Sequence, residues 1–489
     1  MMEQSPVKGC GVIMPWGMGI WELVRNEMDR KIKGSGAENA YFPLLIPQSF
    51  LSKEADHVEG FAKECAVVTH HRLMTSDDGK IVVDPEAKLE EPLIVRPTSE
   101  TMIWHMFGKW IKSYRDLPLK MNQWANVMRW ELRTRPFLRS AEFLWQEGHT
   151  AHASKEEALD TALEMLDIYA DVVENYLGVP VIKGSKTKTE RFAGAEETYT
   201  IEGQMQNGWA LQSGTSHFLG QNFAKAFDVQ FQDKETKRSF VYATSWGVST
   251  RLLGAVVMTH ADDLGLKLPP TIAPVQVVII PVAVDAKKKK DDFDLVQSKI
   301  DDIVSILKKQ NIRYKVDDRD YMRPGPKFFE WEKKGVPLRI EIGPRDAKND
   351  QCVVVPRWER HMTSDKVAKV NVNIDETFAD NLKQRLTDFQ EGYFREAQQR
   401  LREHTFYVSN YKDMTDQLLE TKGGFFLAPW CDDADNEKQV KVDCKATIRC
   451  YPFDPDALVD EPDVSNLDDK KCFYSGRPAT HIALFARAF

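Results

Sequence analysis

The chain has 489 residues, of which 42% are hydrophobic, with 66 Lys and Arg against 74 Asp and Glu for a net charge of −8. That length holds two to four domains with real cores. The acidic balance excludes a protein that coats nucleic acid by non-specific phosphate neutralisation, so any such contact must be local. Seven scattered cysteines, an odd number, exclude a secreted disulfide framework. No leader-like apolar segment and no apolar run of spanning length is present, so the expectation is a cytoplasmic protein with no membrane partner.

In chain order, Ile20, Val24, Met28 and Ile32 recur every four residues and predict an amphipathic helix over Gly17–Lys33, ended by Gly34-Ser35-Gly36. Ala40–Ile46 reads as a strand in which Pro43 marks an edge or a special site. Leu93–Val95 is a short strand, and Pro97–Ile111 is helical. Asn126–Thr150 reads as two antiparallel strands joined by a loop around Thr134-Arg135-Pro136. Ser154 with Glu157 forms a capping box that opens a helix over Lys155–Leu177. Short strands follow to Tyr242, and a helix begins at Ser249 and runs to Met258.

The proline-rich stretch Leu268–Pro274 marks a boundary. Beyond it Val275–Pro281 reads as a buried parallel strand, and strands alternate with helices as in a compact α/β domain: a helix Asp292–Lys309, a strand Arg313–Val316, a helix Lys327–Lys334, then strands Leu338–Ile342 and Cys352–Pro356. The run Lys287–Lys290 reads as a solvated helix entry, with an RNA contact as the alternative. A charged helix over Asp375–His404 leads to a last region holding four of the cysteines. The domains are therefore 1–273, 274–381 and 382–489.

No Walker-type glycine cradle occurs, so arginines would have to hold any nucleotide phosphates. Arg129-Trp130-Glu131, followed after a loop by Arg139-Ser140-Ala141-Glu142-Phe143, offers two arginines, a carboxylate and an aromatic ring. Strand alternation would send Arg129 and Glu131 to one face. Alone, this pattern also describes a salt-bridged surface hairpin. Gly247-Val248-Ser249-Thr250-Arg251 ends a strand and opens a helix, where backbone N–H groups and a guanidinium can meet an anion. Alone, it is an ordinary junction.

Taken in order, the Pro43 strand, the Arg129/Glu131 hairpin with Arg139 and Phe143, and Arg251 resemble motifs 1, 2 and 3 of class II aminoacyl-tRNA synthetases. Pro97–Glu100, Phe143–Thr150, Glu190–Ala195, Gln212–Gln221, Arg323–Phe328 and Lys334–Arg345 resemble the prolyl-tRNA synthetases, in the eukaryotic/archaeal-type arrangement without an editing insertion between motifs 2 and 3. The resemblance runs from about Val7 to the C-terminus. It implies an α/β multidomain fold: a catalytic antiparallel sheet with flanking helices, an α/β anticodon-binding domain, and a small C-terminal α+β domain.

The resemblance also implies roles. Arg129, Glu131 and Arg251 would be catalytic. Thr98, Glu100, Arg129, Trp145, Phe192 and His217 would bind L-proline, with Glu100 suited to its secondary ammonium. Arg129, Glu131, Arg139, Ser140, Phe143, Gln212, Thr215, Ser249 and Arg251 would bind ATP with Mg2+. Arg323, Lys327, Phe328, Glu332 and Glu341 are candidates for anticodon contact with tRNA(Pro). A homodimer through motif 1 is implied as well. Many family members hold structural zinc with a Cys-x4-Cys and a later Cys-x2-Cys pair. Here Asn436 follows Cys431 and Ser475 follows Cys472, so one thiol of each pair is missing. The expectation is no stoichiometric zinc; the alternative is a rearranged site of Cys431, Cys444, Cys450 and Cys472. A synthetase for threonine, glycine or histidine would share the three motifs, and an inactive paralogue would have lost Arg129, Glu131 or Arg251; the Thr98-Ser99-Glu100 turn and His217 favour proline.

Overall fold

The amphipathic stripe read from the sequence is the one that builds the first core. In the computed structural model, which describes residues 1–51, 65–282, 289–357 and 369–489, the helix Pro15–Gly34 buries Ile20, Trp21, Val24, Met28 and Ile32. These side chains pack with Met165, Leu166 and Tyr169 of the helix Lys155–Asp171 and with Trp246 and Val248 beneath the main sheet. Ser154 caps that second helix, its hydroxyl accepting from the Glu157 N–H at 3.2 Å. The helix stops at Asp171, earlier than expected, and passes into a wide π turn over Val172–Tyr176.

Among the described residues the main sheet has eleven strands. Their spatial order is Thr405–Tyr407, Phe425–Trp430, His481–Ala486, Thr447–Pro452, Val181–Ser185, Glu197–Gln204, Ala210–Gly220, Tyr242–Ser249, Glu142–His152, Leu119–Met128 and Glu38–Asn39. All neighbours are antiparallel except the two outermost pairs. The catalytic-type sheet and the C-terminal region therefore share one hydrogen-bonded layer, joined where Gly184 and Ser185 pair with Pro452 and Tyr451. Behind that joint Glu202 is fully buried between Lys186, at 2.9 Å, and Arg449, at 3.0 Å.

Two local expectations fail. Ala40–Ile46 is not one strand. Glu38–Asn39 pairs with the edge of the main sheet, whereas Leu45–Pro47 joins a separate three-stranded sheet with Lys88–Val95 and Ala66–His70. Pro43 has no N–H with which to continue a ladder, and the chain crosses from one sheet to the other there. Arg129 and Glu131 do not share a strand face either, because Leu119–Met128 ends before them. Arg129 N still bonds Ala141 O at 2.8 Å, but Glu131 lies in the following loop.

The 276–385 region is a five-stranded sheet. Val277–Pro281 lies between Tyr314–Val316 and Leu338–Ile342, both parallel to it, and Gln351–Pro356 and Val370–Asn373 follow antiparallel. Helices Lys290–Lys309 and Phe378–Glu403 bury Val296, Ile300, Ile303, Leu382, Leu386 and Phe389 against it. Of the lysine run, 287–288 lie outside the described residues, and Lys289 and Lys290 are exposed at the helix entry.

The rearranged four-cysteine site is not formed. Cys450 is buried at the Gly184 joint among Ile182, Ala210 and Leu427, where burial pushes its thiol up to about 12. Cys444 donates to Val440 O at 3.2 Å, on its own helix. Cys431 meets the family positions: Ser475 Oγ lies 3.4 Å and Asn436 Nδ2 4.0 Å from its sulfur. Cys472 belongs to the same knot, its thiol held low, against the effect of burial, by hydrogen bonds from Ser475. The Arg477 guanidinium completes it, 3.3 Å from Cys431 Sγ and 2.5 Å from Asp433. Two thiols, a hydroxyl, an amide and a guanidinium do not suit zinc, which prefers anionic sulfur or neutral imidazole. A fixed cation already stands beside the sulfur.

Candidate active site

Side chains from four adjacent strands make a regular grid on one face of the main sheet. Alternation places Phe143, Trp145, Glu147 and His149 on the same side of Glu142–His152. Register then sets Trp145 opposite Ser249, Glu147 opposite Gly247 and His149 opposite Ser245. In turn Gly247 faces Thr215, and Ser245 faces His217. On the other face Gly148 sits against the Trp246 ring, where a Cβ would come within 2.2 Å of the indole; only glycine fits.

Above this grid lies a cavity of about 330 Å3. Of the residues expected in the site, it brings together Thr98, Glu100, Arg129, Phe143, Trp145, Phe192, Gln212, Thr215, His217, Ser249 and Arg251. Glu147, His149, Glu190 and Arg191 also line it. All four stand in the strings Phe143–Thr150 and Glu190–Ala195, to which the resemblance attaches no role at these positions, although alternation from Trp145 points to Glu147 and His149. Glu131, Arg139 and Ser140 do not line this cavity. Arg139 and Ser140 border a neighbouring one between the Thr134–Pro136 loop and the Met2–Gly11 turn, and Arg139 Nε lies 3.9 Å from Glu131.

One end of the cavity is a cation trap with aromatic walls. Thr98 donates to the Glu100 carboxylate, and both are buried. Phe192 stacks on His217 with ring centroids 4.5 Å apart. Burial, with help from the neighbouring His149, pushes His217 down to about 3, so the ring is neutral at pH 7. Thr198 Oγ1 lies 3.0 Å from His217 Nδ1 and also accepts from Phe192 N, tying the two rings together. Glu147 and His149 form a buried pair at 3.0 Å. Burial works against both charges, but their mutual contact, with Ser99 and Gln123 on Glu147, lowers the acid and raises the imidazole.

The other end is cationic. Arg129 donates from Nε to Pro97 O at 3.0 Å, and its guanidinium lies 5.3 Å from the Trp145 ring and 5.6 Å from Phe143. Burial lowers its pKa, opposed by Glu100 and then Glu147. Arg251 donates to Leu138 O at 3.2 Å. Burial, then the nearby Arg129, brings it down to about 10, still fully charged at neutral pH. Gln212 turns its amide nitrogen to Thr200 at 3.4 Å, which leaves its oxygen for other partners. The arrangement can hold a zwitterion between a carboxylate and an arginine, with a polyphosphate beyond it.

In the α/β domain the expected RNA contacts divide. Arg323 is exposed ahead of the helix Pro324–Lys333. The Phe328 ring lies under the Arg339 guanidinium at 4.4 Å, and Glu332 is half-buried on the same helix. Lys327 is buried and donates to Asp317 O at 2.9 Å. Glu341 is buried and pairs with Arg339 and Lys369 at 2.9 and 2.7 Å.

The chain matches the family model of the class II tRNA synthetase core domain (G, H, P, S and T) over residues 83–260, the anticodon-binding domain over 276–385 and the prolyl-tRNA synthetase C-terminal domain over 412–489. It is 53% identical over 490 residues to a proline–tRNA ligase of Phocaeicola vulgatus and 52% identical over 492 residues to that of Bacteroides fragilis, covering 100% of this chain and 95% of each relative. Among solved structures it is similar to the prolyl-tRNA synthetase of Cryptosporidium parvum complexed with halofuginone and AMPPNP, at 38% identity and a TM-score of 0.88, and to the same enzyme with L-proline and AMP, at 36% and 0.85. Each alignment covers 100% of this chain and 95% of the solved one.

Proposed function

The chain belongs to the prolyl-tRNA synthetase family, and we propose that the cavity between Glu100, Arg129, His217 and Arg251 is where it activates proline. It is a proline–tRNA ligase: L-proline and ATP give prolyl-adenylate and pyrophosphate, and the prolyl group passes to the 3′ end of tRNA(Pro). The observation that carries the site assignment is the buried Thr98–Glu100 turn facing the Phe192–His217 stack in a cavity whose far end is cationic.

In this reading Glu100 accepts from the ring ammonium, and Phe192, Trp145 and the neutral His217 enclose the pyrrolidine. The proline carboxylate, already ionised, attacks the α-phosphate in line and pyrophosphate leaves, so no general base is needed. Arg129 bridges the carboxylate and the α-phosphate, and Arg251 meets the phosphates from the start of its helix. Their guanidiniums are held ahead of the reaction, which is where electrostatic catalysis acts. Mg2+ bound with ATP would neutralise phosphate charge. Arg139, Ser140 and Glu131 stand on the loop beyond the cavity and would close on ATP from there. Arg323, Phe328 and Glu332 are offered for anticodon contact by stacking and edge hydrogen bonds; Lys327 and Glu341 support that surface from within.

The stretch between Phe143 and Trp246 is used up by core strands and helices. This supports the eukaryotic/archaeal-type arrangement with no editing domain in cis; the two ligases named above are bacterial and do not confirm that subtype. A homodimer through the Pro15–Gly34 helix and the Pro43 segment is the expected assembly, and a monomeric mass by light scattering at micromolar concentration would contradict it. Binding of a non-hydrolysable prolyl-adenylate analogue tests the site itself. It should bind far more tightly than proline, and a threonyl analogue of equal affinity would defeat the assignment.

A further inference from the structure

Gln123 lies in the grid row of the site, directly opposite Glu147, yet it is buried behind the cavity wall and touches no ligand space. Its amide makes three hydrogen bonds. Oε1 accepts from Phe42 N at 2.5 Å, and Nε2 donates to Glu147 Oε1 at 2.8 Å and to Ser99 Oγ at 3.1 Å. Only this amide orientation satisfies a backbone N–H on one side and a carboxylate on the other. Ser99 is the middle residue of the Thr98–Glu100 turn, and its own N–H goes to Glu147 Oε2 at 3.2 Å. As the residue ahead of the helix Glu100–Trp110, Ser99 would ordinarily turn its hydroxyl onto that helix. It makes no such cap, and its hydroxyl oxygen accepts from Gln123 Nε2 instead. Both polar groups of Ser99 are thus fixed from the sheet, with Thr98 and Glu100 held on either side.

The same residue reaches back to the Pro43 crossover. Phe42 is held through both its N–H, to Gln123, and its carbonyl, to Arg96 NH1 at 2.7 Å, and Arg96 lies two residues before the turn. Among the described residues none of these groups hydrogen-bonds Arg251, at the start of the helix Arg251–His260, or Gln212 and Ser249, on other strands. We infer that Gln123 is a positioning residue that sets the Thr98–Glu100 turn, and through it the affinity for proline, while leaving the nucleotide end of the site alone. This rests on assigning the turn to proline.

The test is steady-state pyrophosphate exchange on the full chain with Gln123→Met, which keeps volume and removes the amide, and with Ser99→Ala, which removes one of the three bonds. Gln123→Met should raise KM for proline about tenfold, about 1.4 kcal/mol, with KM for ATP within about twofold of wild type. Ser99→Ala should raise the proline KM by less, and the double variant should be no worse than Gln123→Met alone, because both act on one network. An unchanged proline KM in Gln123→Met, equal rises in both KM values, or strict additivity would overturn the inference. If Gln123→Met does not fold, Ser99→Ala decides alone, and an unchanged proline KM there overturns it. A wild-type chain without proline-dependent exchange would instead defeat the parent assignment.

Discussion

Arg129 carries the sharpest expectation at the scale of a residue. It is held by the Pro97 carbonyl and two aromatic faces, so truncation leaves the sheet intact. Arg129→Ala should lower exchange roughly a hundred- to thousandfold, about 3–4 kcal/mol by analogy with deletion of one oxyanion donor, with unchanged thermal unfolding. Activity within about threefold of wild type would show that the role belongs elsewhere. Residue identities were the most legible part of the sequence, because arginines, acids and aromatics in fixed strings declare their chemistry. What could not be read was partnership. Glu147 and His149 sit in a quoted string, but that they hold each other and brace Ser99 depends on a register set by a strand some twenty residues away. Lys327 has the chemistry of an RNA contact, and only packing shows that Asp317 engages it.

At the scale of elements, the buried strands and helices fix a pH response. His152 and His217, on neighbouring parts of the sheet, are pushed down to about 3, and His260, at the end of the helix Arg251–His260, to about 4; burial is the leading cause in each. Their unfolded value is near 6.5. Below 6.5 the unfolded chain binds protons that the folded chain refuses, so stability falls as pH drops from 6.5 towards 4, by about 1.4 kcal/mol per pH unit for each proton. His149 has the opposite sign, but its raised pKa acts only above 6.5; His481, lowered by burial, adds to the fall, and Glu174 and Glu437, raised by burial, offset part of it. Denaturant midpoints should therefore fall steeply between pH 6.5 and 4.5, and His260→Gln should make the slope shallower by about one proton. A flat profile over that range would contradict the burial argument. Long periodic elements were legible for the same reason that they bury well: the Ile20–Ile32 stripe and the continuous Val277–Ile280 run are core. Ala40–Ile46 misled because its apolar content serves two different sheets, and Arg129–Glu131 because the ladder ends at Met128 while the pattern suggests it continues.

For the whole molecule, the C-terminal region proves to be an extension of the catalytic sheet, tied by Glu202, Lys186 and Arg449. Composition could not show this, since strands that pair as far apart in the chain as Gly184 and Pro452 carry no local signal of their partner. The knot of Cys431, Asn436, Cys472, Ser475 and Arg477 should hold less than about 0.1 zinc per chain by elemental analysis of protein never exposed to chelator, given its poor donor set; one zinc per chain would show that the guanidinium yields to the metal. Specificity is the remaining property of the molecule as a whole. A small apolar pocket rejects a smaller side chain by only about 1–3 kcal/mol, so alanine should give weak exchange, whereas threonine, which must also bury a hydroxyl against the Phe192–His217 wall, should give none. The central claim is tested most directly by ATP–pyrophosphate exchange across the twenty amino acids. The account predicts strong exchange with proline, a weak signal with alanine or cysteine and background elsewhere; robust exchange with threonine, glycine or histidine and none with proline would contradict it.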